Sequence, residues 1–239
     1  MPKRKRGQHK RARSWSDLAR RPGNRQPGQC ILIVCEGEKT EPNYFRSLRE
    51  QLRLLPVEVE IIPGDESGSA PISIVTHALH LKRQRERDVR KQRTNKLKFD
   101  QIWCVFDQEN PPHASFSRAV NQARGNRLEL AVSTPAFEYW YLLHYEYTTR
   151  PFRNASEIAK ALKTHIPDYE KCQDVYNDCR LSERTSVAIK PAKRVWSHWA
   201  DEQGQFPNPS TLAFQLVEKL QGMSARFADT PGKTRENKQ

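Results

Sequence analysis

The stretch that decides the fold reads CILIVCEGEKTEPNYF, residues 30–45. Its continuous apolar run predicts a short strand buried on both faces, and Thr40 with Pro42 indicates the start of a helix. The inward face of that helix would consist of Tyr44, Phe45, Leu48 and Leu52. The turn between strand and helix holds three carboxylates, Glu36, Glu38 and Glu41. Open α/β sheets bind ligands beyond the carboxyl ends of such strands, although a strand-Glu-Gly-helix pattern alone is more often a solvated loop.

A second stretch, QIWCVFDQEN at residues 101–110, repeats this design. A continuous apolar strand ends abruptly in Asp107 and Glu109, which are two positions apart and project to the same side of an extended chain. Two such carboxylates repel each other unless a cation or proton lies between them, and such pairs recur as Mg²⁺ or Mn²⁺ ligands. The alternative is an acidic loop that ends the strand, since Asn110-Pro111-Pro112 follows.

The remaining patterns predict an α/β protein with a mostly parallel sheet flanked by helices and a helical C-terminal portion. We expect a strand at 57–62, a loop at 63–69, a helix from Pro71 and a strand at 128–133. Further helices are expected at 41–54 and 115–124, after Thr134-Pro135, and near 156–164, 174–181, 186–199 and 211–220. The predicted division is a basic disordered arm (1–28), an α/β core (29–146), a helical portion (147–221) and a polar tail (222–239).

The formal net charge of +13 is concentrated in two segments. Residues 1–28 hold ten Lys/Arg against Asp17, and residues 82–98 hold nine against Glu86 and Asp88, so the rest of the chain is mildly acidic. Two basic segments on an acidic body suggest a polyanionic partner such as nucleic acid; the alternative is basic tails that only keep the chain soluble. The segment 82–98 is either a solvated helical finger or a loop lying on phosphate. The candidate nucleic-acid-binding residues are Arg4, Arg6, Arg11, Arg13, Lys39, Arg83, Arg87, Arg90 and Arg93.

Cellular location is indicated by what the sequence contains and lacks. No apolar run approaches the roughly 20 residues of a membrane span, and the basic N-terminus lacks the apolar segment of a secretory signal. The cysteines are odd in number, and three of them lie in or beside predicted core strands, which favours reduced thiols in the cytoplasm. Cys172 and Cys179, with His165 nearby, fit no zinc spacing. The five cysteines are Cys30, Cys35, Cys104, Cys172 and Cys179.

Taken together, three motifs resemble the RloB-like family, also called AbiLii-like. They are EGEKTEPNYF at 36–45, VFDQE at 105–109 and STPAFEYWYLLHY at 133–145, and the segment 208–218 is similar to the family's closing motif. The resemblance runs from about residue 29 to 220. It implies a Toprim-like core and a bacterial antiphage or abortive-infection protein that works with an ABC/AAA-type ATPase.

The resemblance also implies roles for individual residues. Glu36 is similar to the Toprim glutamate, which is proposed to bind metal and relay a proton. Glu41 resembles a second acidic residue of OLD-type nucleases, with the spacing different by one. Asp107 and Glu109 resemble the Asp-x-Asp pair, with glutamate in place of the second aspartate. Glu138 either completes the acidic cluster or is a buried cap or hydrogen-bond partner, and for His144 a packing or supporting role is favoured over catalysis.

The function predicted from these observations is a Mg²⁺- or Mn²⁺-dependent nuclease. Clustered carboxylates hold the metal ions that neutralise a scissile phosphate and activate water. The catalytic residues would be Glu36, Asp107 and Glu109, and the metal ligands would be Glu36, Glu41, Asp107, Glu109 and Glu138. The alternative is a noncatalytic nucleic-acid- or ribosome-binding adaptor with a degenerate Toprim-like site. Strand-transfer or nucleotidyl-transfer chemistry is a third option, and DNA and RNA both remain open as substrates.

Overall fold

Strand β1 (Ile31–Cys35) lies inside the sheet, and all five of its residues are buried. The computed structural model describes residues 28–56, 58–67, 70–169, 174–178, 181–199 and 206–228. The other strands are β2 (Val59–Ile62), β3 (Gln101–Asp107), β4 (Glu129–Thr134) and β5 (Ser210–Thr211). A strand buried on both faces needs helices on both sides of the sheet, which is the predicted α/β architecture.

The five strands are arranged in the order β2-β1-β3-β4-β5. β1, β2, β3 and β4 run parallel, and β5 pairs antiparallel with β4. From β1 the chain goes outward to β2 and then returns to β3 on the other side of β1. The boundary between β1 and β3 is therefore the point where the chain direction across the sheet switches, and ligands bind at such points in doubly wound folds.

The described residues form nine helices around this sheet. They are α1 (Thr40–Gln51), α2 (Gly64–Ser67), α3 (Pro71–Arg90), α4 (Phe116–Gly125), α5 (Glu138–Leu142), α6 (Ala155–Leu162), α7 (Val175–Asp178), α8 (Leu181–His198) and α9 (Ala213–Ala228). α3 packs on β1, β3 and α4, while α9 packs on β4 and α8. The C-terminal helices are thus joined to the sheet, as predicted for a helical portion that packs back on it.

Helix α3 crosses the sheet from one edge to the other. We call the edge where β1 and β3 end the carboxyl edge, and the opposite one the amino edge. The chain after β2 lies at the carboxyl edge, where the Gly64 amide donates to the Gly37 carbonyl at 3.0 Å. After α3 the chain is at the amino edge, where the Asp100 amide donates to the Cys30 carbonyl at 2.8 Å. Any feature at the C-terminus of α3 is therefore remote from the carboxyl edge.

Local structure differs from the sequence-based expectations at several places. The predicted loop 63–69 contains the short helix α2, and the aromatic-rich helix after Pro135 is regular only in α5. β5 was not expected, because a two-residue strand has no periodicity and exists through its pairing with Ser133 and Thr134. α9 continues to Ala228, past the residue at which the predicted tail begins. The basic segment 82–98 is helical to Arg90 and irregular after it.

Two further features bear on the predicted reduced thiols and on the predicted lack of a membrane span. Cys30, Cys35 and Cys104 are free and buried. Burial raises the pKa of Cys104 to about 12, so this thiol stays protonated at neutral pH. Cys172 and Cys179 lie outside the described residues. Among the helices that the structure describes, none is both long and apolar enough to cross a membrane.

Candidate functional site

A cleft of ≈ 410 Å³ opens at the carboxyl edge, above the ends of β1 and β3. The cleft brings together three segments that are distant in sequence. They are the turn after β1 with the start of α1, the end of β3 with its loop, and the start of α5. Its lining consists of Glu36, Gly37, Glu38, Lys39, Thr40, Glu41, Asp107, Glu109, Phe137 and Glu138. All five acidic residues predicted as metal ligands are in this set. We refer to it as the acidic cleft.

Glu36 links the two strands that frame the acidic cleft. Its backbone amide donates to the Val105 carbonyl at 2.9 Å, which continues the β1–β3 ladder by one residue. Its side-chain Oε2 accepts from the Asp107 amide at 2.8 Å. The Glu36 carboxylate is therefore held by the end of the neighbouring strand, and its position depends on the register between β1 and β3.

Two glycines allow close packing around the turn after Glu36. A Cβ on Gly37 would lie 2.0 Å from Oε2 of Glu41, so the Glu41 carboxylate rests directly against the Gly37 backbone. A Cβ on Gly64 would lie 1.8 Å from the Glu36 carbonyl oxygen. Because any side chain at residue 64 would displace backbone atoms, Gly64 allows the chain after β2 to support the Glu36-Gly37 turn.

Glu41 is 4% exposed, whereas Glu38 and Glu109 of the same cleft are exposed. It lies in the first turn of α1, where the helix dipole stabilises negative charge. Burial, with the Glu41 charge as the next contribution, raises the pKa of Cys35 well above its usual range. Glu41 therefore lies between the turn and the interior of the sheet, beneath the opening of the acidic cleft.

The predicted carboxylate pair stands at the end of β3. Asp107 is the last residue of the strand and is half-buried, while Glu109 is exposed. The Gln108 amide donates to the Ser133 carbonyl at 2.8 Å, so β3 stays paired with β4 up to this point. Asp107 is thus fixed by the sheet, and Glu109 belongs to the loop that follows it.

Glu138 enters the acidic cleft from α5 and is 2% exposed. The helix is anchored to α1 because the Tyr141 hydroxyl donates to the Thr40 carbonyl at 3.1 Å. Burial raises the pKa of Tyr141 strongly, and the charges of Glu41 and Glu138 contribute to this shift. These two carboxylates therefore both lie near the same phenol, which keeps its proton and acts as a donor.

His144 lies behind the acidic cleft and does not line it. Its Nδ1 donates to the Trp140 carbonyl at 2.8 Å, and its ring packs edge-on against Trp140 with centroids 4.8 Å apart. Nε2 is buried without a hydrogen-bond partner in the described structure. Burial lowers the His144 pKa to about 4, so the imidazole is neutral at neutral pH. This position favours the packing role over a catalytic one.

The donor set of the acidic cleft fits Mg²⁺ or Mn²⁺ better than softer metals. Its acidic side chains offer carboxylate oxygens, and neither His nor Cys lines the cleft. Within the described residues, no group of three or more His, Cys, Asp or Glu side chains is placed to hold a metal ion. Mg²⁺ is usually bound by one or two carboxylates together with water and substrate phosphate, so a preformed cage of three is not required.

The predicted basic residues are divided between two places. Lys39 is exposed at the rim of the acidic cleft. Arg83, Arg87 and Arg90 lie on the exposed face of α3 towards its C-terminus, and Arg93 follows the helix, so all four are near the amino edge. Arg4, Arg6, Arg11 and Arg13 lie outside the described residues.

Several residues of the site were not singled out by the sequence analysis. Thr40 and Phe137 line the acidic cleft, Tyr141 anchors α5, and Gly64 supports the turn. The available signal for Gly64 was the Pro63-Gly64 pair, which predicts a turn but does not indicate which backbone it contacts.

Comparison with known proteins identifies one family. The family model described as RloB-like protein matches residues 31–220. This range includes every described strand and all residues that line the acidic cleft. The chain matches no curated protein and no solved structure.

Proposed function

The chain belongs to the RloB-like protein family, and on that premise we propose that it is a divalent-metal-dependent nuclease. The reaction is phosphodiester hydrolysis on DNA or RNA, with Mg²⁺ or Mn²⁺ as cofactor. Following the resemblance described above, the nuclease is an effector of bacterial antiphage defence and works with an ABC/AAA-type ATPase partner.

The observation that carries this proposal is the convergence of six acidic residues, the five predicted metal ligands and Glu38, at the switch point of the sheet. Glu36 and Glu38 come from the turn after β1, Glu41 from α1, Asp107 and Glu109 from β3 and its loop, and Glu138 from α5. An excess of carboxylates beside a single exposed lysine repels a phosphodiester unless a cation is present. The arrangement is therefore suited to bind metal and phosphate together.

The residues of the acidic cleft have distinct roles in this proposal. Glu36, Asp107 and Glu109 would supply ligands to the metal ion together with water and substrate phosphate, and the bound ion would neutralise phosphate charge and activate water. The Asp107 amide donates to the Glu36 carboxylate and so holds it at the end of β3. Lys39 binds a nonbridging phosphate oxygen at the rim. Glu41 and Glu138, which are almost fully buried, support the site from below and from α5.

A noncatalytic adaptor is the second candidate, and two observations favour it. No three acidic side chains among the described residues are placed as a ready metal site, and glutamate occupies the second position of the Asp-x-Asp pair. An adaptor would bind nucleic acid or ribosomes through its basic surface. It would keep this binding when Asp107 is changed.

The test is cleavage of a mixed panel of DNA and cellular RNA by the purified protein with Mg²⁺, Mn²⁺ or EDTA. Asp107→Asn removes a ligand charge at nearly constant volume, and we expect at least a roughly 10³-fold loss of cleavage rate, as for other charge-stabilising groups. Asp65→Asn is the matched control, because Asp65 is exposed on α2 and does not line the acidic cleft.

Cleavage that needs metal and is lost only in Asp107→Asn supports the nuclease and identifies its substrate. Unchanged cleavage in Asp107→Asn would overturn the assignment of the acidic cleft. If neither protein cuts, the panel is repeated with an ABC/AAA-type ATPase added, the partner that the family resemblance implies. Continued absence of cleavage, with nucleic-acid binding retained, would favour the adaptor.

A further inference from the structure

A second groove, of ≈ 390 Å³, lies on the outer side of α3 near the amino edge. It is lined by His80, Gln84, Arg87, Asp88, Lys91 and Arg93. We call it the basic groove, because three permanent cations face one carboxylate there. In the described part of the chain, Arg87, Lys91 and Arg93 form no salt bridge.

The neighbouring basic residues behave differently. Arg85 donates from Nη2 to both carboxylate oxygens of Glu60 at 2.8 Å, and Lys96 contacts the same carboxylate at 3.1 Å. The Arg85 guanidinium also lies 4.1 Å from the centre of the Phe99 ring, and Nη1 donates to the Leu97 carbonyl. Arg85 and Lys96 thus attach the segment after α3 to β2, and Arg85, whose side chain is 10% exposed, is not available to an external anion.

The end of α3 gives the basic groove its shape. Gln92 has a φ of 52°, and its amide donates to the Val89 carbonyl at 3.1 Å. The Arg93 amide donates to the Asp88 carbonyl at 2.9 Å, which completes a Schellman turn. This turn reverses the chain and places Arg93 beside Arg87. The backbone turn therefore brings Arg87 and Arg93 together. The dipole of the helix also stabilises positive charge at its C-terminus.

The distance between the basic groove and the acidic cleft follows from the helix. α3 begins near the carboxyl edge at Pro71. From Pro71 to Arg87 the helix axis advances by about 24 Å, at a rise of about 1.5 Å per residue. Duplex DNA advances 3.4 Å per base pair, so about seven base pairs cover this distance. A dinucleotide or a short fragment in the acidic cleft does not extend to the basic groove.

We propose that the basic groove is an exosite for the phosphate backbone of the nucleic acid whose scissile bond lies in the acidic cleft. The inference rests on the proposed function for the cleavage step, and it identifies the substrate class as long polynucleotides that bridge both edges of the sheet. Electrostatic attraction at the exosite offsets the repulsion of phosphate by the acidic cleft.

The first experiment measures binding without cleavage. Fluorescence anisotropy in EDTA compares the wild type with Arg87→Gln/Arg93→Gln on DNA and RNA duplexes of about 20 base pairs. Each phosphate contact contributes about 0.9 to the salt slope, so we expect the slope to fall by about 2 and the affinity to fall about 10-fold. The matched control is Lys160→Gln/Lys163→Gln, which removes the same charge from exposed positions on and just after α6.

The second experiment tests the bridge. With metal, the groove variant should raise KM for the duplex of about 20 base pairs by about 10-fold without changing kcat, and leave KM for one of about 6 unchanged. Three results would overturn the exosite. They are an equal rise in KM for both duplex lengths, an equal loss of affinity in the control variant, and an unchanged salt slope in the groove variant. If the wild type cuts nothing even with the ATPase partner added, the proposed function fails, and the binding experiment alone decides on the basic groove.

Discussion

The acidic cleft and the basic groove lie at opposite edges of one sheet, and they are built in opposite ways. In the acidic cleft, charge is carried at strand ends, and Glu36 is held by the amide of Asp107. In the basic groove, charge is carried by long exposed side chains on a helix surface and its C-terminal turn. The first is fixed by backbone register, and the second by helical spacing and one turn.

This difference indicates that the two edges serve different functions, chemistry in the acidic cleft and attraction of a polyanion in the basic groove. Chemistry requires groups whose positions vary little, which strand ends and a buried interior supply. Attraction of a polyanion requires only charge at roughly the right distance, which flexible arginines supply. We therefore expect the acidic cleft to be sensitive to changes in the interior and in the turn, and the basic groove to tolerate them.

The largest effect is expected from the interior behind the acidic cleft. Burial lowers the His144 pKa from 6.5 to about 4, so between these values the unfolded chain binds a proton that the folded chain does not. The free energy of unfolding should fall by about 3 kcal/mol as pH falls from about 6.5 to 4, with no further loss from this group below that. Urea unfolding across this range measures the slope.

Replacement of the histidine separates this effect from other acid-sensitive groups. In His144→Gln the corresponding part of the slope should disappear, even if stability at neutral pH is lower. His113→Gln changes an exposed histidine of the loop after β3 and should keep the wild-type slope. If His144→Gln also keeps it, His144 is not neutral in the folded protein.

A smaller effect is expected from the turn beneath the acidic cleft. In Gly64→Ala the new methyl group would meet the Glu36 carbonyl oxygen at 1.8 Å, so the turn has to move. We expect about 2 kcal/mol of destabilisation, as for other overpacked sites, together with slower cleavage. Thermal unfolding and the cleavage assay measure the two effects.

Gly125→Ala is the control for this change, because a Cβ there meets nothing within 4 Å. At the end of α4 it should leave stability unchanged or raise it by up to about 1 kcal/mol. Equal stabilities of the two variants would show that the turn is not closely packed against Gly64.

The smallest effect compares two arginines on the same helix. Arg85→Ala removes two hydrogen bonds to Glu60 from a side chain that is 10% exposed, and should destabilise the protein by about 1.5 kcal/mol. Arg87→Ala removes an exposed cation and should change stability by no more than about 0.5 kcal/mol. Urea unfolding distinguishes them, and similar losses would contradict the division between structural and available cations.

Much of this organisation could be predicted from local patterns. The apolar runs at 31–35 and 102–106 identify buried strands because neither face of such a segment tolerates water. The acidic residues that follow them, Glu36 and Asp107, lie at one edge because parallel strands share a direction. Strand β5 could not be predicted, since two residues carry no period, and the same holds for the role of Gly64.

By itself, the sequence determined the four parallel strands, the acidic residues that follow β1 and β3, and the positions of the basic segments, because burial and charge are properties of neighbouring residues. Only the tertiary structure decided which arginines remain available, since the neutralisation of Arg85 depends on Glu60 from a separate strand. It also separated the acidic cleft from the basic groove by the length of α3. Contacts and distances between segments far apart in sequence arise only when the chain packs, and no local pattern encodes them.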